Sequence, residues 1–104
     1  MTSIWHSRLA TRAIVVAEYY QIFVRPKAGV TRSQIEKQLD RALDWYRYAD
    51  NCWVVYTSVD AKKWKERLAP VVKPDGYMFI CKLDISERNG WMPKEFWEWI
   101  RTPK

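Results

Sequence analysis

The chain has 104 residues, which suits one domain and is too short for two ordinary ones. Hydrophobic residues at 48% and charged residues at 29% exclude a disordered or collagen-like chain, and runs such as "AIVVA" are far too short to span a bilayer. A net charge of +6, from 18 Lys and Arg against 12 Asp and Glu, favours anionic partners but says nothing of fold.

Residues 1–12, "MTSIWHSRLATR", have no clean period and no continuous apolar core, so a signal peptide is not expected. They read as an N-terminal arm, ordered in part by packing of Ile4, Trp5 and Leu9. Residues 13–104 read as one domain. "AIVVAEYYQIFV", 13–24, is β-branched and aromatic almost throughout and reads as a largely buried strand, ended by "RPKAG". "TRSQ", 31–34, fits a capping box between Thr31 and Gln34, and Ile35, Leu39, Ala42 and Leu43 follow as one helical stripe.

"DWYRYADNCWVVYTS", 44–58, reads as two strands about an Asp50-Asn51 turn. That register opposes Tyr48 to Trp53 and Trp45 to Tyr56. It groups Tyr46, Tyr48, Trp53, Val55 and Thr57 on one face, with Trp45, Arg47, Ala49, Cys52, Val54 and Tyr56 on the other. A second helix follows over 58–72, capped by Asp60 or Ser58, with Pro70 limiting its continuation. "KPDG" is a turn. "YMFICKLDI", 77–85, is a strand with Tyr77, Phe79, Cys81, Leu83 and Ile85 on one face and Met78, Ile80, Lys82 and Asp84 on the other. "SERNG" breaks it, and "PKEFWEWI", 93–100, opens a short helix at Pro93 with Phe96, Trp99 and Ile100 together and Trp97 on another side.

Strand, helix, strand, strand, helix, strand is the order of a ferredoxin-like α+β sandwich: a βαββαβ fold with two helices on one face of a four-stranded antiparallel sheet. A short C-terminal helix is added. The reverse sheet face, with Trp45, Val54, Tyr56, Met78 and Ile80 expected on it, needs cover, and Trp97 is expected at the same interface. A second subunit, the C-terminal helix or nucleic acid bases can supply it.

From "WYRYADNCWVVYTS" through "RLAPVVKPDGYMFICKL" to "GWMPKEFWEWI", the pattern resembles the small SinR-like proteins related to the ferredoxin-like CRISPR-associated nuclease. The shared features are a Trp-led hairpin strand, "CWVVYTS" running into a helix, and a closing Trp segment. The resemblance implies homodimers formed through sheet edges or faces. Its nuclease-like relatives carry an Asp at the end of the first strand, proposed to bind a divalent metal. The matching position here falls near Phe23, Val24 and Arg25, where no carboxylate exists, and Glu18 lies further back. A metal-dependent endoribonuclease or DNase, using Glu18, Asp84 or carboxylates from a partner subunit, is therefore the alternative reading.

His6 is the sole His, and nothing pairs it with a nucleophile. Cys52 and Cys81 have no paired spacing, so no catalytic residue, metal site or cofactor is expected, and a reducing, cytoplasmic setting is. Five basic residues, Arg8, Arg12, Arg25, Lys27 and Arg32, face Glu18 alone within residues 1–35. Arg25 and Lys27 stand near a helix N-terminus, where phosphate can bind. Arg47 stands mid-strand between rings, placed for a cation–π contact with Trp45 or Tyr56 or for a phosphate. The expectation is a non-catalytic, homodimeric binding module that contacts RNA or DNA through Arg25, Lys27, Arg32 and Arg47, with no membrane role. A module that blocks or assembles another protein complex is the remaining possibility.

Overall fold

The computed structural model describes residues 16–104. They form β1 (Glu18–Arg25), α1 (Arg32–Leu39), β2 (Asp44–Ala49), β3 (Cys52–Thr57), α2 (Ala61–Val72), β4 (Tyr77–Leu83) and α3 (Lys94–Arg101). The expected arm, and residues 13–15 of the expected first strand, lie outside the described residues. The result is an α+β architecture: one open antiparallel sheet in the order β2-β3-β1-β4, with three helices. β1 and β3 are paired on both sides, and β2 and β4 are the edges.

α1 and α2 cover one face. Ile22 and Val24 of β1 and Trp53 and Val55 of β3 pack there against Ile35 and Leu39 of α1 and Trp64 and Leu68 of α2. α3 covers part of the other face, where Phe96 and Ile100 close over Val54. β3 therefore buries residues on both of its sides, whereas β1 buries its α1–α2 side and leaves the other half-covered.

The helix starts follow local chemistry. The Thr31 hydroxyl accepts from the Gln34 N–H (3.3 Å), and the Gln34 side-chain Oε1 accepts from the Thr31 N–H (2.8 Å), a complete capping box. Asp60 caps α2 by accepting from the Lys63 N–H (2.9 Å). Several boundaries differ from expectation. α1 ends at Leu39, because the chain turns at Asp40 and the Leu43 N–H joins the Tyr56 carbonyl (2.9 Å), leaving Leu43 64% exposed. α2 starts at Ala61 rather than 58 and ends at Val72 as expected, two residues past the exposed Pro70, with the Lys73 N–H still closing on the Ala69 carbonyl (2.9 Å). β4 stops at Leu83, because Asp84 accepts from both the Ser86 hydroxyl (2.6 Å) and N–H (3.0 Å) and turns the chain.

The hairpin of β2 and β3 forms as expected but its register does not. Ala49 opposes Cys52, yet Arg47 opposes Trp53, so Tyr48 is an extra residue, a β-bulge. Asn51 alone takes the left-handed conformation (φ 63°), whereas a two-residue I′ turn needs it at both central positions. The single extra residue exchanges the faces of β2 relative to β3. Trp45 now joins the α1–α2 side, and Tyr46 and Tyr48 join the α3 side.

Tryptophan rings tie the layers together. The buried Trp64 indole N–H donates to the Thr57 hydroxyl (3.1 Å). Trp53 donates to Glu36 of α1 (3.0 Å), Trp45 to Asp40 (2.8 Å) and Trp99 of α3 to Asp44 of β2 (3.0 Å). Each ring thus buries its body while its one donor is satisfied, so none carries the penalty of an unpaired buried N–H.

Candidate functional site

α3 sets the boundary of the site by covering only part of its sheet face. Phe96 sits edge-on to Tyr46 (5.6 Å between centroids) and Trp97 (5.4 Å), and Trp99 lies 6.0 Å from Tyr19. Lys104 closes the end of this cluster, its ammonium 4.3 Å from the Trp99 ring centre and 5.8 Å from that of Tyr19. Burial holds the Lys104 ammonium below its ordinary pKa, and Asp44 partly offsets this. Burial also pushes the Tyr19 and Tyr48 phenols up, with Tyr56 and Asp44 adding to the effect at Tyr19.

Beyond α3 the same sheet face carries a strip of open rings. Phe23 of β1 is the cross-strand neighbour of Phe79 on β4, and Arg25 that of Tyr77. Phe23 and Tyr77 rings lie 6.1 Å apart at 33°, and the Arg25 guanidinium stands 5.2 Å over the Tyr77 ring. Tyr77 is 55% and Phe79 60% exposed. This places a cation over one of two mostly exposed rings, with the half-buried Phe23 beside them.

The four basic residues named from the sequence separate. Arg25 joins the rings. Lys27 lies in the loop that the Val71 carbonyl fastens through the Lys27 N–H (2.9 Å). Arg32 heads α1 and pairs with Glu36 (3.9 Å), and Arg47 pairs with Asp50 (3.2 Å). Arg32 and Asp50 line one cleft of about 300 Å³ with Pro26, Asn51 and Trp53. The expected stacking of Arg47 on Trp45 or Tyr56 is corrected: Asp50 holds the Arg47 guanidinium, the bulge moves Arg47 to the side away from Tyr56, and cation–π contacts fall instead to Arg25, Arg67 and Lys104.

The six residues expected together on the reverse face also separate. Val54 is buried beneath α3, Tyr56 packs on Tyr19 (4.8 Å), and Trp97 is half-buried against Phe96. Trp45, Met78 and Ile80 lie on the opposite face, against the main core. For Met78 and Ile80 the reason is pairing, since they stand beside Val24 and Ile22, whose side chains face α1 and α2. Phe23, Tyr77 and Phe79 were missed. Their alternation with Met78 and Ile80 is visible in the sequence, but the more aromatic side of β4 reads as the buried one.

Glu18 and Asp84 line one open cleft, of about 710 Å³. The Glu18 carboxylate holds the Lys82 ammonium at 3.2 Å, and the Ser86 hydroxyl and N–H hold the Asp84 carboxyl below its ordinary pKa. Among the described residues, no three His, Cys, Asp or Glu side chains gather as a metal-binding group, and no helix is long and apolar enough to cross a membrane. Comparison of the chain with protein-family models, curated proteins and solved structures gave no match.

Proposed function

We propose that the chain is a non-catalytic binding module of ferredoxin-like build, acting in the cytoplasm, that holds single-stranded RNA or DNA on the open half of its sheet. The strand order β2-β3-β1-β4, with one helix after β1 and one after β3, supports the ferredoxin-like reading. The observation that carries the function is the strip of Phe23, Tyr77 and Phe79 with Arg25 over Tyr77. Every base offers a π-face, and a base stacked on an aromatic side chain contributes about 1–3 kcal/mol. Arg25 supplies positive charge beside those rings, and Lys27 lies two residues further along the chain.

Fluorescence anisotropy with labelled oligo-uridine and oligo-thymidine at two salt concentrations tests the reading. Binding should weaken as salt rises, and Phe79→Ala should weaken it by about ten- to a hundredfold while the fold is kept, because the ring is mostly exposed. Absence of binding at low salt, or binding indifferent to Phe79→Ala and Tyr77→Ala, refutes it. The homodimer belongs to the same reading, with a second copy seated on the same rings. Light scattering then detects a dimer that Phe79→Ala weakens and that an added oligonucleotide competes with. The alternative, a metal-dependent nuclease, rests on the shared cleft of Glu18 and Asp84. It requires cleavage of those oligonucleotides with Mg²⁺ that Glu18→Ala or Asp84→Ala abolishes.

A further inference from the structure

The geometry points to a second docking site, distinct from the ring strip: a groove between the free edge of β4 and α2 that accepts an extended peptide carrying acidic side chains. The Val24 N–H donates to the Asn51 carbonyl on the β3 side (3.0 Å), and the Asn51 amide donates to the Val24 carbonyl (2.7 Å). Backbone direction alternates along a strand, so Phe23 and Gln21 turn to β4 and bond there with their partners Phe79 and Cys81. Met78, Ile80 and Lys82 therefore turn their N–H and C=O groups outward. Among the described residues β4 pairs with β1 alone, so this outer row has no strand beside it. An open row of this kind is a template for strand addition.

What lies beside the row selects the occupant. A groove of about 410 Å³ is lined by Ala61, Lys62, Lys65, Met78, Phe79 and Ile80. Its apolar part suits the methylene stems of glutamate side chains. Its wall carries two lysines and no acid, and among the described residues neither Lys62 nor Lys65 has a carboxylate within ion-pair distance, whereas Lys63 has Glu66 at 3.5 Å. Lys62 and Lys65 are neighbours on a helix, about 5–6 Å apart at Cβ. Side chains on one face of a strand recur about every 6.6 Å, so acids two residues apart can each meet one lysine. A second copy adding its own β4 across a two-fold axis brings like-charged lysines together. Residues 1–12 carry Arg8 and Arg12 and no Asp or Glu, so they have the wrong sign as well.

The test uses the full chain and a labelled seven-residue peptide alternating Glu with Val. Its controls are the same peptide with Lys for Glu, and the Glu peptide with alternate backbone amides methylated. The Glu peptide should bind at least about tenfold more tightly than the Lys peptide, with Lys62→Glu plus Lys65→Glu reversing the order. Methylation in one of the two alternate registers should abolish binding, because it removes the donors aimed at β4. Tyr77→Ala, at a ring of the strip that does not line the groove, should leave peptide binding in place, which keeps this outcome separate from that of the ring strip. Equal affinity for Glu and Lys peptides, indifference to methylation in both registers, or displacement of the peptide by any polyanion at equal charge concentration overturns the proposal.

Discussion

Removing the Phe96 ring should cost about 3 kcal/mol, the low end for Phe→Ala in a core, because Phe96 keeps 8% of its surface exposed. The ring packs on Tyr46, Tyr48 and Trp97, and it shares the α3 cluster with Val54 and Ile100. α3 has eight residues, too few to be helical in water unaided, so its existence depends on this seat. Loss of the seat should therefore release the whole helix while the α1–α2 side keeps its separate core. Urea unfolding of Phe96→Ala, Ile100→Ala and the double variant measures this. Once α3 has left, a second deletion removes little more. The double variant should thus lose clearly less than the sum of the two singles, with native-like dispersion of the β1 and β3 amide signals retained. Additivity within about 0.5 kcal/mol, or a Phe96→Ala cost below about 1 kcal/mol, would falsify the picture of a helix held by one ring cluster.

Gly76→Ala should lower stability by about 1–3 kcal/mol in thermal melts, since a Cβ there would collide with the Arg25 carbonyl oxygen and backbone must shift. Thr31→Ala should cost about 1 kcal/mol through the loss of the capping box, and Thr31→Ser should recover most of it. Stability should also fall as pH rises past 10.0. The folded state holds the Tyr19 and Tyr48 protons more tightly than the unfolded chain, so the unfolded chain ionises first and gains. Lys104, shifted downward, opposes this weakly below its ordinary value of 10.5. Tyr19→Phe with Tyr48→Phe should flatten the alkaline loss in urea midpoints, and an unchanged slope counts against the assignment.

Local chemistry was legible in the sequence where it is self-contained. Thr31 with Gln34, Asp60 before α2, and the alternation along β4 all fall where the residue types put them. The faces were harder to read. A bulge is one residue with no compositional mark, and Tyr48 shifts the partner of every β2 residue before it by one. Which side of β4 is buried depends on its pairing with β1, more than fifty residues earlier, where Met78 meets Val24 and Phe79 meets Phe23. Both sides of β4 carry apolar groups, so composition favoured the larger rings for the core, and the structure sets the smaller Met78 and Ile80 there instead. The site residues shared that difficulty. Arg25 was visible as a basic residue at a strand end, but its ring partner Tyr77 was assigned to burial.

The bulge at Tyr48 also bears on valency. β2 is an edge strand like β4, but its broken rhythm and the Trp45 ring bonded to Asp40 spoil the flat, regular margin that a neighbouring strand needs. Among the described residues, β4 keeps the one regular free margin of the sheet. Strand addition as proposed at that margin would cap the sheet, because the described residues offer no second regular margin from which a ribbon or fibre could continue.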